Sequence, residues 1–210
     1  MITVERVSVM NLENAVRGAR NPMNSWDRSD SYYDETGKYV LGKNDLDLCH
    51  RLSVSGSDHR KYLRQIFVSM DITAPLYWWK EFDTYKVATV ANSCSTMHKI
   101  HAKEFSRDDF SCERLSERAL ACLDAVIACL EESRTRYLET RDVADWHDMI
   151  QLLPSSYNQL RTVTVNYETL INIYYARRRH KLAEWHTLCG VIESLPYAQE
   201  MILIKSDSKE

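Results

Sequence analysis

Residues Val165–Leu188 read VNYETLINIYYARRRHKLAEWHTL, and the rest of the chain is best understood outward from them. At about 100° per residue, Asn166, Leu170, Ile173, Arg177 and His180 fall on one helical stripe within roughly 60°. The stripe is apolar except for three groups that each need a partner. One reading satisfies Asn166 and His180 with neighbouring backbone and leaves Arg177 to Lys181 as a solvated basic patch. The other reading is an anion pocket, in which Arg177 holds a phosphate or an enolate-like oxygen through charge-assisted hydrogen bonds. The residues alone leave both open.

Around this segment, strand and helix patterns occur together, so the expected class is α+β. Residues 2–10 keep an approximate period of two through Ile2, Val4, Val7 and Val9, which predicts a strand, and Asn11 is placed to cap a short helix through Gly18. Asn21 to Lys43 is polar and rich in Asn, Ser, Asp, Gly and Tyr, as a long surface loop would be. Asn44 to Leu52 reads as a short helix capped by Asn44. The cluster Ser55-Gly56-Ser57-Asp58 then opens the basic-aromatic stretch HRKYLRQ, residues 59–65.

Gln65 to Thr73 is β-rich. It is followed by Leu76–Phe82, LYWWKEF, whose aromatics imply burial against neighbours or a ligand. The clearest helix covers roughly 112–139, where Leu115, Ala119, Cys122, Val126 and Leu130 recur at spacings of three and four. After Leu152-Leu153-Pro154 a second helical region is expected from about Thr164 to Ser194, interrupted near the basic cluster and closed by Pro196. Residues 205–210 are expected to form a mobile tail.

Length and composition bound the possibilities. With 210 residues, 44% of them apolar, one domain spanning 1–210 is the default. No stretch approaches the roughly 18 uninterrupted apolar residues of a membrane helix, and the first residues do not read as a signal peptide, so a cytoplasmic protein is expected. Cys49, Cys94, Cys112, Cys122, Cys129 and Cys189 show no CxxC pair, and Cys122 and Cys129 sit a heptad apart in a helical pattern, so reduced core thiols are expected over a disulfide framework or a zinc site. A net charge of -3 and a pI near 6.2 offer no global attraction to nucleic acid or to an anionic membrane.

Other constellations carry less. His98, His101 and Glu104 lie at i, i+3 and i+6, so the histidines could share a metal, but three ligands over two turns drift round a helix and Lys99 and Lys103 discourage a cation. No metal is expected. Tyr77-Trp78-Trp79 could stack on bases or pack in a core. There is no Walker loop, GxGxxG or GxSxG, and five glycines leave little for a glycine-lined phosphate cradle.

Read in order, several segments resemble the flavin-dependent thymidylate synthases (ThyX). Ile72-Thr73-Ala74-Pro75 is similar to the strand end and helix start before that family's RHR signature. In the signature itself, Asn92 and Ser95 keep the Asn-x-x-Ser spacing, while Thr84, Tyr85 and Lys86, or Tyr85, Lys86 and Val87 in a register shifted by one, stand where the family has three basic residues. Leu152-Leu153-Pro154 resembles the family's LP turn and Val165-Asn166 its VN pair. Asn172, Arg177 and His180 are similar in order to its flavin-contacting Asn, dUMP-contacting Arg and following His. Glu168 and Ile150 occupy positions where the family usually has Arg.

The resemblance implies a twisted, mainly antiparallel sheet flanked by long helices, and a homotetramer with sites shared between subunits. It implies FAD as cofactor, with NADPH and methylenetetrahydrofolate as cosubstrates, and methylation of dUMP without a protein nucleophile. By the same resemblance Arg177 would be catalytic and would contact the pyrimidine or phosphate. Asn166, Asn172, His180 and Asn92 would lie against the flavin, and Ser95 and Lys86 would hold phosphate. Two other classes are carried beside it: a non-catalytic relative that binds a nucleotide or a protein partner, and a nucleic-acid module using HRKYLRQ and the Arg177 cluster, whose affinity would fall steeply with salt.

Overall fold

The β-branched run Val163-Thr164-Val165 continues a strand up to Asn166, and the helix begins only at Tyr167, because β-branched side chains favour the pleated backbone over the helix. The computed structural model describes residues 2–204. The tail expected at 205–210 lies outside the described residues.

In chain order the elements are β1 (Thr3–Met10), α1 (Leu12–Ala19), β2 (Tyr32–Tyr33), β3 (Tyr39–Val40), α2 (Lys43–Val54), β4 (Phe67–Pro75), α3 (Leu76–Phe82), β5 (Thr89–Ser93), α4 (Glu117–Thr140), α5 (Val143–Leu152), β6 (Asn158–Asn166), α6 (Tyr167–Arg177), α7 (Ala183–Glu193) and α8 (Ala198–Met201). Four strands form an antiparallel sheet in the order β1-β4-β6-β5, flanked by helices, and β2 pairs with β3 as a separate antiparallel hairpin. The class is α+β, as expected. β4 shows the period of two most clearly: Val68, Met70, Ile72 and Ala74 are buried while Phe67, Ser69, Asp71 and Thr73 are not. No helix among the described residues is long and apolar enough to cross a membrane.

Chain contacts divide the protein into two compact units. One comprises, of the described residues, 2–3, 72–84 and 91–162. Here α3 buries Trp78, Trp79 and Phe82. The Trp79 indole N–H donates to the Gln159 carbonyl at 3.0 Å, and the Arg161 guanidinium lies 4.3 Å from its ring centroid. The aromatic stretch is therefore core. A second cluster in this unit joins Ile100, Phe105, Phe110, Leu123, Leu130 and Met149.

Two expectations change in α4. It starts after Ser116, whose hydroxyl accepts from Ala119 N–H, and it turns Leu123, Val126, Ile127 and Leu130 inward. Cys122 and Cys129 are exposed, as is Cys94 outside this helix, so these three are not core thiols. The apolar period fits two neighbouring stripes of this helix, and only packing against α5 selects between them. Cys49 and Cys189 are the buried thiols, and burial pushes them up to about 12 and about 11.

The second unit comprises, of the described residues, 4–71, 85–90 and 163–204. The polar stretch 21–43 is mostly exposed but ordered into two short 3-10 turns, Asn21–Met23 and Trp26–Arg28, and the β2-β3 hairpin. Its anchor is the buried Asp45. One carboxylate oxygen accepts Arg20 Nε at 2.6 Å, and the other accepts the hydroxyls of Ser29 and Ser31 at 2.7 and 2.6 Å and two backbone N–H groups.

α2 begins at Lys43 with Gly42 at the cap position, not at a capping Asn44. The capping carboxylate comes from Asp30, which accepts from the N–H groups of Asn44 and Asp45 at 2.9 and 3.1 Å. That approach leaves no room for a side chain at 42, where a β-carbon would sit 2.3 Å from the Asp30 carbonyl oxygen. Gly42→Ala is expected to destabilise the protein by about 1–3 kcal/mol, read by denaturant unfolding.

Candidate functional site

The candidate residues in the second unit gather around the C-terminal end of α6. The stripe inferred for residues 166–180 is not one helix. Asn166 ends β6 and caps α6, and α6 stops at Arg177, so only Leu170, Ile173 and Arg177 share the helix. Leu170 and Ile173 are buried and anchor it.

Arg177 is half-buried in a seat of aromatic rings. Its Nε donates to the Tyr85 hydroxyl at 2.8 Å, and its guanidinium carbon lies 4.7 Å from the Trp185 ring centroid and 5.5 Å from that of Tyr85. The two rings meet edge to face at 6.1 Å, and His180 meets Trp185 in the same manner at 6.3 Å. Trp185 is fully buried in α7. This arrangement fixes a planar cation against two aromatic rings, which suits recognition of a phosphate or a polarised carbonyl oxygen.

The segment Tyr85–Val90 runs alongside α6. Tyr85 meets Arg177, and the Val87 carbonyl accepts the Thr169 hydroxyl at 3.0 Å. Lys86 lies between these two anchors and is exposed. Ala88 then takes left-handed backbone, φ 54°, a conformation that a β-carbon disfavours. Tyr85 and Trp185 were the residues that sequence reasoning did not assign. Tyr85 carried a faint signal, since it stands in the position of a basic signature residue.

Two predicted residues are engaged elsewhere. Asn166 is buried and committed at both ends: its Oδ1 accepts Thr169 N–H at 2.9 Å and its Nδ2 donates to the Arg64 carbonyl at 3.3 Å. This is the backbone-satisfied reading. His180 accepts Leu182 N–H at Nδ1, 3.2 Å, which shapes the turn between α6 and α7. Asn172 is exposed on α6. Glu168 makes a two-pronged ion pair with Arg60 at 2.9–3.2 Å, so its charge is matched from the stretch HRKYLRQ.

Asn92 and Ser95 belong to the other unit, where both are exposed. The Ser95 hydroxyl accepts from the N–H groups of Met97 and His98 at 3.2 and 2.9 Å and so closes a turn. Of the residues weighed as metal ligands, Glu104 faces Arg134 at 3.6 Å and His101 meets the Tyr137 ring. Among the described residues no three His, Cys, Asp or Glu side chains gather as a metal site would require.

No protein-family model matches the sequence, and no curated protein sequence does. Solved structures do match in fold. Thymidylate synthase X from Helicobacter pylori, crystallised with FAD and dUMP, aligns over 98% of this chain and 100% of its own, at 18% identity and a TM-score of 0.68. A second structure of that enzyme with the same ligands gives 0.65. The UMP/dUMP methylase PolB from Streptomyces cacaoi, bound with 5-Br dUMP, aligns over 97% of this chain and 95% of its own, at 16% identity and 0.62.

Proposed function

We propose that this chain, which carries the fold of the flavin-dependent thymidylate synthases, binds a pyrimidine nucleotide of the dUMP class through Arg177. The observation that supports this reading most is the seating of Arg177 between the Tyr85 hydroxyl and the Trp185 ring. A guanidinium held in advance loses little side-chain freedom on binding, so its charge-assisted hydrogen bonds act at nearly full strength. Lys86, beside Tyr85, would add a second cation for phosphate. Polarisation of the pyrimidine by Arg177 is the step we assign to the protein if the nucleotide is methylated.

For FAD, the residues present fit in part. Asn166 is buried with its amide hydrogen-bonded at both ends, while Asn172 presents an exposed amide and His180 lies half-buried at the turn after α6. When bound, the flavin would supply the hydride, with NADPH and methylenetetrahydrofolate as cosubstrates. A cytoplasmic homotetramer completes the proposal, and light scattering on the purified chain reads that assembly.

A second reading is favoured by the locked Asn166 and by the Glu168–Arg60 pair, which puts a matched carboxylate where the family has a free cation: a nucleotide binder without flavin chemistry. Thermal-shift titrations with FAD and dUMP, separately and together, decide. Stabilisation by both supports the enzyme, and stabilisation by dUMP alone supports the binder. No shift with dUMP overturns both. Ligand at 100 times its Kd adds about 2.7 kcal/mol, which a melting curve resolves. Arg177→Ala is expected to weaken dUMP by about 1.5–3 kcal/mol, on the order of 10- to 100-fold.

A further inference from the structure

The second unit also holds a cavity of about 560 Å³ that shares no residue with the Arg177 seat. Its wall includes Trp26, Tyr32, Tyr33 and Tyr39 together with Glu13 and Arg17. Three of the rings are half exposed, Trp26 at 50% and Tyr32 and Tyr33 at 57% each. Scattered exposed aromatics are ordinary, but four rings around one concavity mark a surface that gains by being covered.

The rings are held in place. The Trp26 indole N–H donates to Asn21 Oδ1 at 2.9 Å. Tyr33 donates its hydroxyl to Glu13 and packs against Tyr39 at 5.4 Å. Beneath them, Arg20, Ser29 and Ser31, which also face the cavity, are committed to the buried Asp45.

The charge balance selects the ligand. Glu13 and Arg17 sit at i and i+4 on α1, a spacing that normally pairs them, yet Glu13 is taken by Tyr33. Among the described residues the Arg17 guanidinium then has no hydrogen bond or ion pair, and Arg20 is neutralised by Asp45. Glu13 keeps its charge but accepts the Tyr33 hydroxyl, and Arg17 is the cation left beside the aromatic faces without an ion-pair partner among the described residues. We infer that this cavity is a second ligand site, and that it takes a planar aromatic ring carrying one anionic group, with the ring against Trp26 and the tyrosines and the anion on Arg17.

The inference is independent of the nucleotide site, and its test is calorimetric titration of the full chain with 1-naphthyl phosphate. One saturable site is expected. Trp26→Ala and Arg17→Ala, both surface changes, should each weaken it about tenfold, and uncharged 1-naphthol should bind about tenfold more weakly. Both variants should keep the full thermal response to dUMP, and Arg177→Ala should keep its affinity for naphthyl phosphate. Unchanged affinity in Trp26→Ala or Arg17→Ala overturns the site. Tighter binding of N,N,N-trimethylanilinium than of naphthyl phosphate overturns the anionic ligand in favour of recognition by Glu13. Loss of naphthyl phosphate binding in Arg177→Ala overturns the claim of a separate site.

Discussion

Asp45→Ala is expected to lower stability by about 3–5 kcal/mol, the range for removing one partner of a buried ion pair. Asp45 has no exposed surface and Arg20 almost none, so the substitution leaves a guanidinium in the interior without its counter-charge. It also orphans the hydroxyls of Ser29 and Ser31 and two backbone N–H groups at once. Because these donors all come from residues 20–31, order in that stretch should go with the carboxylate. Amide exchange is expected to accelerate there and in the β2-β3 hairpin, before α6 and α7 are affected. Exchange uniform over the chain would refute this local assignment.

The same carboxylate sets an acid limit. Desolvation raises its pKa, but hydrogen bonds from Ser31, Ser29 and Arg20 outweigh that and hold it below the ordinary carboxylate value. A pKa that is lower in the folded state than in the unfolded state contributes stability above the unfolded value, near ~3.9 for Asp, and loses it as the pH falls through the folded value. Wild-type stability should therefore fall below about pH 4, and Asp45→Asn should show a shallower fall over that window.

Trp185→Ala is expected to cost about 3–5 kcal/mol, as for other large aromatic deletions from a core. It is informative because it joins core and site. The indole is fully buried, and its ring also carries the Arg177 guanidinium and the edge contacts of Tyr85 and His180. Removing it takes away the ring that lies 4.7 Å from the Arg177 guanidinium and leaves the Tyr85 side of the seat. The dUMP response should shrink even at temperatures where the variant is folded. Trp185→Phe should recover most of both. A variant that is destabilised but binds dUMP normally would show that the ring is packing only, and that Arg177 needs no seat.

Much of the local structure was legible. The alternation in β4 and the helical period of α4 survive in the fold, because each follows from the faces of one element. Boundaries were less so. The stretch around Asn166 joins a β-branched strand directly to a helix, and its Asn serves as the cap, so no Gly or Pro marks the change of backbone. An angular argument that ran one helix from 166 to 180 therefore put Asn166 and His180 on a face they do not share with Arg177.

The sequence by itself determined the α+β class, the elements β1, α1, α2, β4 and α4, and the presence of Arg177 in a helical region with Leu170 and Ile173 on its inner face. These follow from local periodicity and capping, which need only near neighbours. The tertiary structure alone decided the partners. Tyr85 reaches Arg177 across 92 residues, Arg60 reaches Glu168 across 108, and Arg20 reaches Asp45 across 25. No period along the chain encodes such pairs. They form because a buried charge or N–H must be matched by whatever group the packing brings within hydrogen-bond distance.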